Sequence, residues 1–166
     1  MDIDLTELTD AGGQWRFDLT DAYFQSVGNK DIKRGKIGVD LSVSKVSEDS
    51  FHFLFRLRGE VVMECSRCLG DVICPVAQER QIEVVTGVAR VDDVDKVTVD
   101  ENNSIVDVSW LAYEQVALSL PLSPVHAPGE CDASMERRLA EYGGKGGNED
   151  GGIDPRWKEL EKLKTK

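Results

Sequence analysis

Apolar residues fall into a strict rhythm between residues 36 and 64. Ile37, Val39, Leu41 and Val43 alternate with Gly38, Asp40, Ser42 and Ser44. After a turn at Ser47-Glu48-Asp49, Phe51, Phe53, Phe55 and Leu57 alternate with His52, Leu54, Arg56 and Arg58. Side chains on a strand point alternately to its two faces, so the two runs predict a β-hairpin with one apolar and one polar face. The return strand extends past Gly59 into Val61-Val62-Met63. A further extended run places Val72, Cys74 and Val76 against Asp71, Ile73 and Pro75, then continues into Ile82, Val84 and Val85. Pro75 lacks a ladder donor, which points to an edge strand or a bulge. His52 reads as an exposed strand residue and Cys74 as a small buried apolar one.

The flanks are shorter-patterned. Ile3 and Leu5 alternate as a short strand, Ala11-Gly12-Gly13 signals a turn, and Trp15 and Phe17 share one face of a second strand. Asp18 or Thr20 can cap a short helix carrying Tyr23, Phe24 and Val27, ended by Gly28-Asn29. Trp15, Phe17 and Phe24 read as core: only Arg16 lies among them, and base-stacking surfaces carry more cations. Residues 92–107 are rich in Asp and Glu, lack the ligand spacing of a calcium loop, and read as a solvated acidic loop. A helix over about 110–119, capped by Asp107 or Ser109, carries Leu111, Val116, Ala117 and Leu118 and stops at Pro121. Residues 135–142 predict one more short helix.

The expected architecture is an α+β domain over 1–142, an antiparallel sheet with a packed helix in the C-terminal half. A Gly-rich linker follows over 143–153, then a basic helical tail over 154–166. In the tail, Asp154-Pro155 starts the helix, Trp157, Leu160 and Leu163 recur at helical spacing, and Arg156, Lys158 and Lys162 are among its cations.

Charge narrows the functions this chain can serve. Twenty Lys and Arg against 31 Asp and Glu leave a net charge of −11. Each phosphate contact needs a cation, so general polyanion binding is disfavoured; a basic protein partner, or RNA held at a local basic patch, suits the chain better. No apolar run is long enough to span a bilayer and no export signal is seen, so a cytoplasmic location with reduced thiols is expected.

The chemistry concentrates in two pairs. Cys65 and Cys68, in Cys65-Ser66-Arg67-Cys68-Leu69, sit at the turn between two strands with the spacing of half a tetrahedral zinc site. His126 and Cys131 lie on a segment bounded by Pro124, Pro128 and Gly129, which holds a fixed shape without regular structure. If the pairs meet, three thiolates and one imidazole make a closed structural zinc site. No Ser/His/Asp order, phosphate-binding glycine loop or His-Glu-x-x-His motif appears, so no catalytic residues are assigned and an enzyme is not expected. Arg67, Arg56 and Arg58, with the tail cations Arg156, Lys158 and Lys162, are the candidates for contact with RNA or a partner.

Three ordered pieces together resemble one family. They are Cys65-Ser66-Arg67-Cys68-Leu69 after a strand; a helix with glutamate and a Leu-x-Leu-Pro end, Glu114 to Pro121; and Pro124-Val125-His126 with Cys131, followed by Asp154-Pro155-Arg156-Trp157-Lys158-Glu159-Leu160. The set resembles the YceD family, the large ribosomal RNA subunit accumulation proteins. The resemblance implies a ribosome-biogenesis factor supporting accumulation of large-subunit ribosomal RNA. Its partner would be that RNA, its precursor particle or a basic ribosomal protein, with no membrane and no small-molecule substrate. The alternative is a metal-dependent hydrolase or nuclease acting on RNA.

Overall fold

A computed structural model describes residues 1–8, 12–87, 96–100 and 104–143. The expected linker, and the tail with Arg156, Lys158 and Lys162, lie outside the described residues, apart from Gly143.

The chain is an α+β fold built on one long sheet. In order it forms β1 (Asp2–Asp4), a 3-10 turn (Leu5–Glu7), β2 (Gly13–Leu19), α1 (Asp21–Val27), β3 (Ile32–Lys45), β4 (Ser50–Glu64) and β5 (Asp71–Thr86). Then follow β6 (Lys96–Val99), β7 (Ile105–Asp107), α2 (Val108–Ser119) and α3 (Ala133–Tyr142). The five-stranded sheet runs β2-β3-β4-β5-β6, and β1 pairs antiparallel with β7 in a small second sheet.

The hairpin predicted over 36–64 is the centre of this sheet, with Val39 opposite Leu57 and Leu41 opposite Phe55. Its period-two pattern is the cause: Ile37, Val39, Leu41, Phe53, Phe55 and Leu57 are all buried, while Arg56 and Arg58 on the other face are exposed. The hairpin is longer than the pattern indicated, because β3 begins at Ile32 with an irregularity between Ile32 and Arg34. Gly59 permits the long β4 to continue: its φ is +155°, and a Cβ there would lie 2.0 Å from the Lys36 carbonyl oxygen.

Helices α1 and α2 lie on the apolar face. Phe24 of α1 is fully buried, with Tyr113 of α2 beside it at a ring-centroid distance of 6.2 Å. Gly28, in the left-handed conformation, ends α1 as the sequence indicated. Trp15 and Phe17 are half-buried and pack against the core. The Asp107 carboxylate accepts from the backbone N–H groups of Ser109 and Trp110, so α2 starts at Val108, two residues before the predicted start. The polar face of the sheet carries alternating charge: Arg16 pairs with Asp40 and Arg56 with Glu79.

Two expectations need correction. The acidic stretch 92–107 is not a continuous loop, since it holds β6 and β7. Val97 and Val99 alternate within β6, but four residues among many carboxylates give too short a pattern to read. β6 pairs parallel with β5 over Glu83–Thr86, so the otherwise antiparallel sheet has one mixed edge. Leu5 is buried as expected but sits in the 3-10 turn, outside β1. Among the described residues, no helix is long and apolar enough to cross a membrane.

Candidate metal centre

The two pairs meet at the end of the sheet. Cys65 follows β4 directly, and Cys68 lies on the turn that leads into β5. The turn is closed by its own backbone: the Leu69 N–H donates to the Cys65 carbonyl at 2.9 Å, and the Cys65 N–H donates to the Gly70 carbonyl at 2.8 Å. Leu69 takes φ +62°, the one non-glycine residue with positive φ among the described residues. The ligand loop after α2 is fastened to this turn by the Ser66 N–H, which donates to the Pro124 carbonyl at 2.8 Å.

The four donor atoms of Cys65, Cys68, His126 and Cys131 lie within 4.8 Å of one another. The Sγ atoms of Cys65 and Cys131 are 3.9 Å apart, and His126 Nδ1 is 3.3 Å from Cys68 Sγ and 3.8 Å from Cys131 Sγ. A tetrahedron with metal–sulfur bonds of about 2.3 Å and a metal–nitrogen bond of about 2.0 Å has S···S edges of about 3.8 Å and S···N edges of about 3.5 Å. The cluster therefore has the dimensions of a four-coordinate site, and these residues can hold a metal ion.

The imidazole is oriented for this role. His126 Nε2 lies 2.9 Å from the Asp71 backbone carbonyl oxygen, which can only accept, so Nε2 carries the proton and Nδ1 turns its lone pair toward the sulfurs. This partner is a main-chain atom brought close by folding, and the sequence carried no signal of it.

Backbone dipoles select thiolates. The Cys65 thiol is pulled down to about 5, foremost by the Cys68 N–H and also by the N–H groups of Arg67 and His126. Cys68 is lowered by the Asp132 and Gly70 N–H groups. Cys131 is pushed up to about 11 by burial and by the neighbouring sulfurs of Cys68 and Cys65. Three thiolates this close would repel one another, so Cys131 holds its proton; the positive charge of a bound cation would offset the repulsion and displace that proton. His126 is raised, first by the Asp71 carbonyl and then by Cys65. Cys74, buried on β5 and raised by desolvation, is not part of the cluster.

Of the remaining candidates, Arg56, Arg58 and Arg67 lie among the described residues. Arg56 and Arg58 lie on the polar face of the sheet, and Arg56 Nε donates to Glu79 Oε2 at 2.8 Å. Arg67 is exposed on the cysteine turn. A basic group missed in the sequence lies nearby, but it too is compensated. Lys33 reaches Glu64 at 3.1 Å and Asp71 at 2.8 Å, and Arg34 reaches Asp71 at 3.1 Å.

A family model described as large ribosomal RNA subunit accumulation protein YceD matches residues 53–164, more than half of the 166-residue chain. The chain belongs to the YceD family. The matched segment begins within β4 and contains all four residues of the cluster. The family's description connects the chain with accumulation of large-subunit ribosomal RNA. No curated protein and no solved structure matches the chain.

Proposed function

We propose that this chain is a cytoplasmic, non-enzymatic assembly factor for the large ribosomal subunit. In this reading a structural zinc centre shapes it, and it acts by binding a basic protein of the precursor particle. The observation that carries the reading is the closed four-donor cluster inside the segment that matches the family. Three sulfurs and one imidazole are a donor set suited to zinc, and a catalytic zinc keeps a position open, so four protein donors support a structural role over the hydrolase alternative. In that role Cys65, Cys68, His126 and Cys131 tie the β4–β5 turn to the loop that follows α2, and zinc binding becomes part of the folding free energy.

A protein partner is favoured over RNA by charge. The net charge is −11, and the sheet-face cations Arg16 and Arg56 are engaged by Asp40 and Glu79, so they do not form a phosphate track. Direct RNA contact is the second reading, favoured by Arg58 and Arg67, which are exposed and form no ion pair among the described residues. Sedimentation of cell extract tests both. Co-migration with large-subunit precursors that weakens with salt supports assembly. Association with ribosomal proteins that survives nuclease selects the protein reading, and its loss on nuclease treatment or in Arg67→Ala selects RNA. A protein that never co-migrates with precursors refutes the assembly role. Elemental analysis of protein purified without added metal should give one zinc per chain, and a ratio near zero in folded, reduced material refutes the zinc centre.

A further inference from the structure

β5 is long, but its outer edge is only partly covered. β6 pairs with it over Glu83–Thr86, and among the described residues no strand pairs with that edge before Glu83. Pro75, without an N–H, interrupts the edge as a hydrogen-bonding template, which leaves residues 76–82 as an unblocked stretch. An open edge of this kind presents main-chain donors and acceptors to a further strand.

A groove of about 450 Å³ runs beside that stretch. Arg80, Gln81 and Ile82 of β5 and Val97 of β6 form one wall, and Tyr113 and Leu118 of α2 are on the other. The outer side of α2 mixes apolar and polar residues, with Trp110, Glu114, Gln115 and Leu118. The inner residues Val108, Leu111, Ala112 and Val116 are buried against the sheet, yet Leu118 is 78 % exposed and Trp110 is 46 % exposed. The groove thus offers a backbone edge on one side and apolar side-chain sites on the other.

We propose that this groove receives an extended segment of a basic protein, which adds as a strand beside residues 76–82 in the lane that β6 occupies further along. Main-chain pairing supplies binding, alternate apolar side chains of the segment pack on Ile82 and Leu118, and the acidic chain draws in a cationic one. Among the described residues that line the groove Arg80 is the one cation, too little for a nucleic-acid backbone. The identity of the segment as part of a ribosomal protein rests on the assembly role proposed above; the groove's geometry does not.

The test uses the full chain and fluorescein-labelled synthetic peptides tiled across the basic extensions of large-subunit proteins. Anisotropy should find a binding peptide, and hydrogen exchange should show that it slows the outward-pointing amides within 76–82. Leu118→Glu should raise Kd about tenfold or more, with Leu118→Ala intermediate, while the melting temperature of both variants stays near that of the parent. The inference is overturned if no tiled peptide binds, or if binding protects other amides. It is also overturned if Leu118→Glu and Leu118→Ala bind as the parent does. Amides 76–82 already slow in the free chain, and released by deleting residues 144–166, would show that the chain covers its own edge. Parallel sedimentation separates the two readings: co-migration with precursors but no peptide binding removes the groove alone, and peptide binding without co-migration removes the assembly role alone.

Discussion

Along β4, Phe53, Phe55 and Leu57 are shut off from solvent near one end, and the pairing with β3 and β5 runs through them without irregularity. At the other end Val61 and Met63 lead into Cys65, equally buried, where strand pairing gives way to a turn fastened by sulfur, imidazole and three backbone hydrogen bonds. One strand thus joins two kinds of stabilisation. Burial of aromatic and branched side chains removes apolar area from water and needs no partner beyond the chain. The cysteine end gathers donors that can hold a metal ion; with zinc bound as proposed above, its stability would depend on metal and on reduced thiols. The apolar end forms the sheet from its own side chains, and the cysteine end meets the loop after α2 through the Ser66–Pro124 backbone hydrogen bond and the gathered donors.

The comparison is broken most forcefully at the aromatic end. Phe55→Ala should cost about 3–5 kcal/mol, a large part of the stability of a domain this size, in urea denaturation. The loss should be the same with and without a chelator. At the other end, Cys68→Ser should remove the metal-linked share, about 2.7 kcal/mol when free zinc stands a hundredfold above its dissociation constant. A chelator should lower the melting temperature of the parent and leave this variant unmoved. Cys74→Ser sharpens the contrast, because it alters a buried cysteine outside the cluster and should keep one zinc per chain by elemental analysis.

Smaller changes probe how the ligand loop is delivered. Asp107→Ala removes the cap from α2, the helix that leads into that loop, and should cost about 1 kcal/mol by thermal or urea denaturation without altering zinc content. Leu69→Gly relieves a left-handed backbone on a side chain that is 58 % exposed. A branched residue pays about 1–2 kcal/mol there and glycine loses about 0.5–1 kcal/mol of chain entropy, so the variant should gain about 0.5 kcal/mol. A loss instead would show that the Leu69 side chain, and not only the shape of the turn, supports the cysteine end.

Much of this was legible before folding. Alternation from Ile37 to Leu57 depends only on the two-residue repeat of a strand, and it named the buried face residue by residue. Cys-x2-Cys at a strand end and His126 with Cys131 on a Pro- and Gly-bounded loop named the four donors, because ligand type and spacing are local properties. Pro75 pointed to an edge strand or a bulge, but β5 lies inside the sheet order and pairs with β4 without a register shift; among the described residues only its outer side at Pro75 lacks a neighbour. The tertiary structure decided what depends on meetings between distant segments. It set β6 parallel beside β5, brought the Asp71 carbonyl to His126 Nε2, and answered Lys33 and Arg34 with Glu64 and Asp71. Among the described residues, it also set the outer edge of β5 before Glu83 beside α2 with no strand paired to it. A backbone carbonyl, a lane between strands and a compensating carboxylate carry no mark in a one-dimensional pattern, since each acquires its role only when folding sets it against its partner.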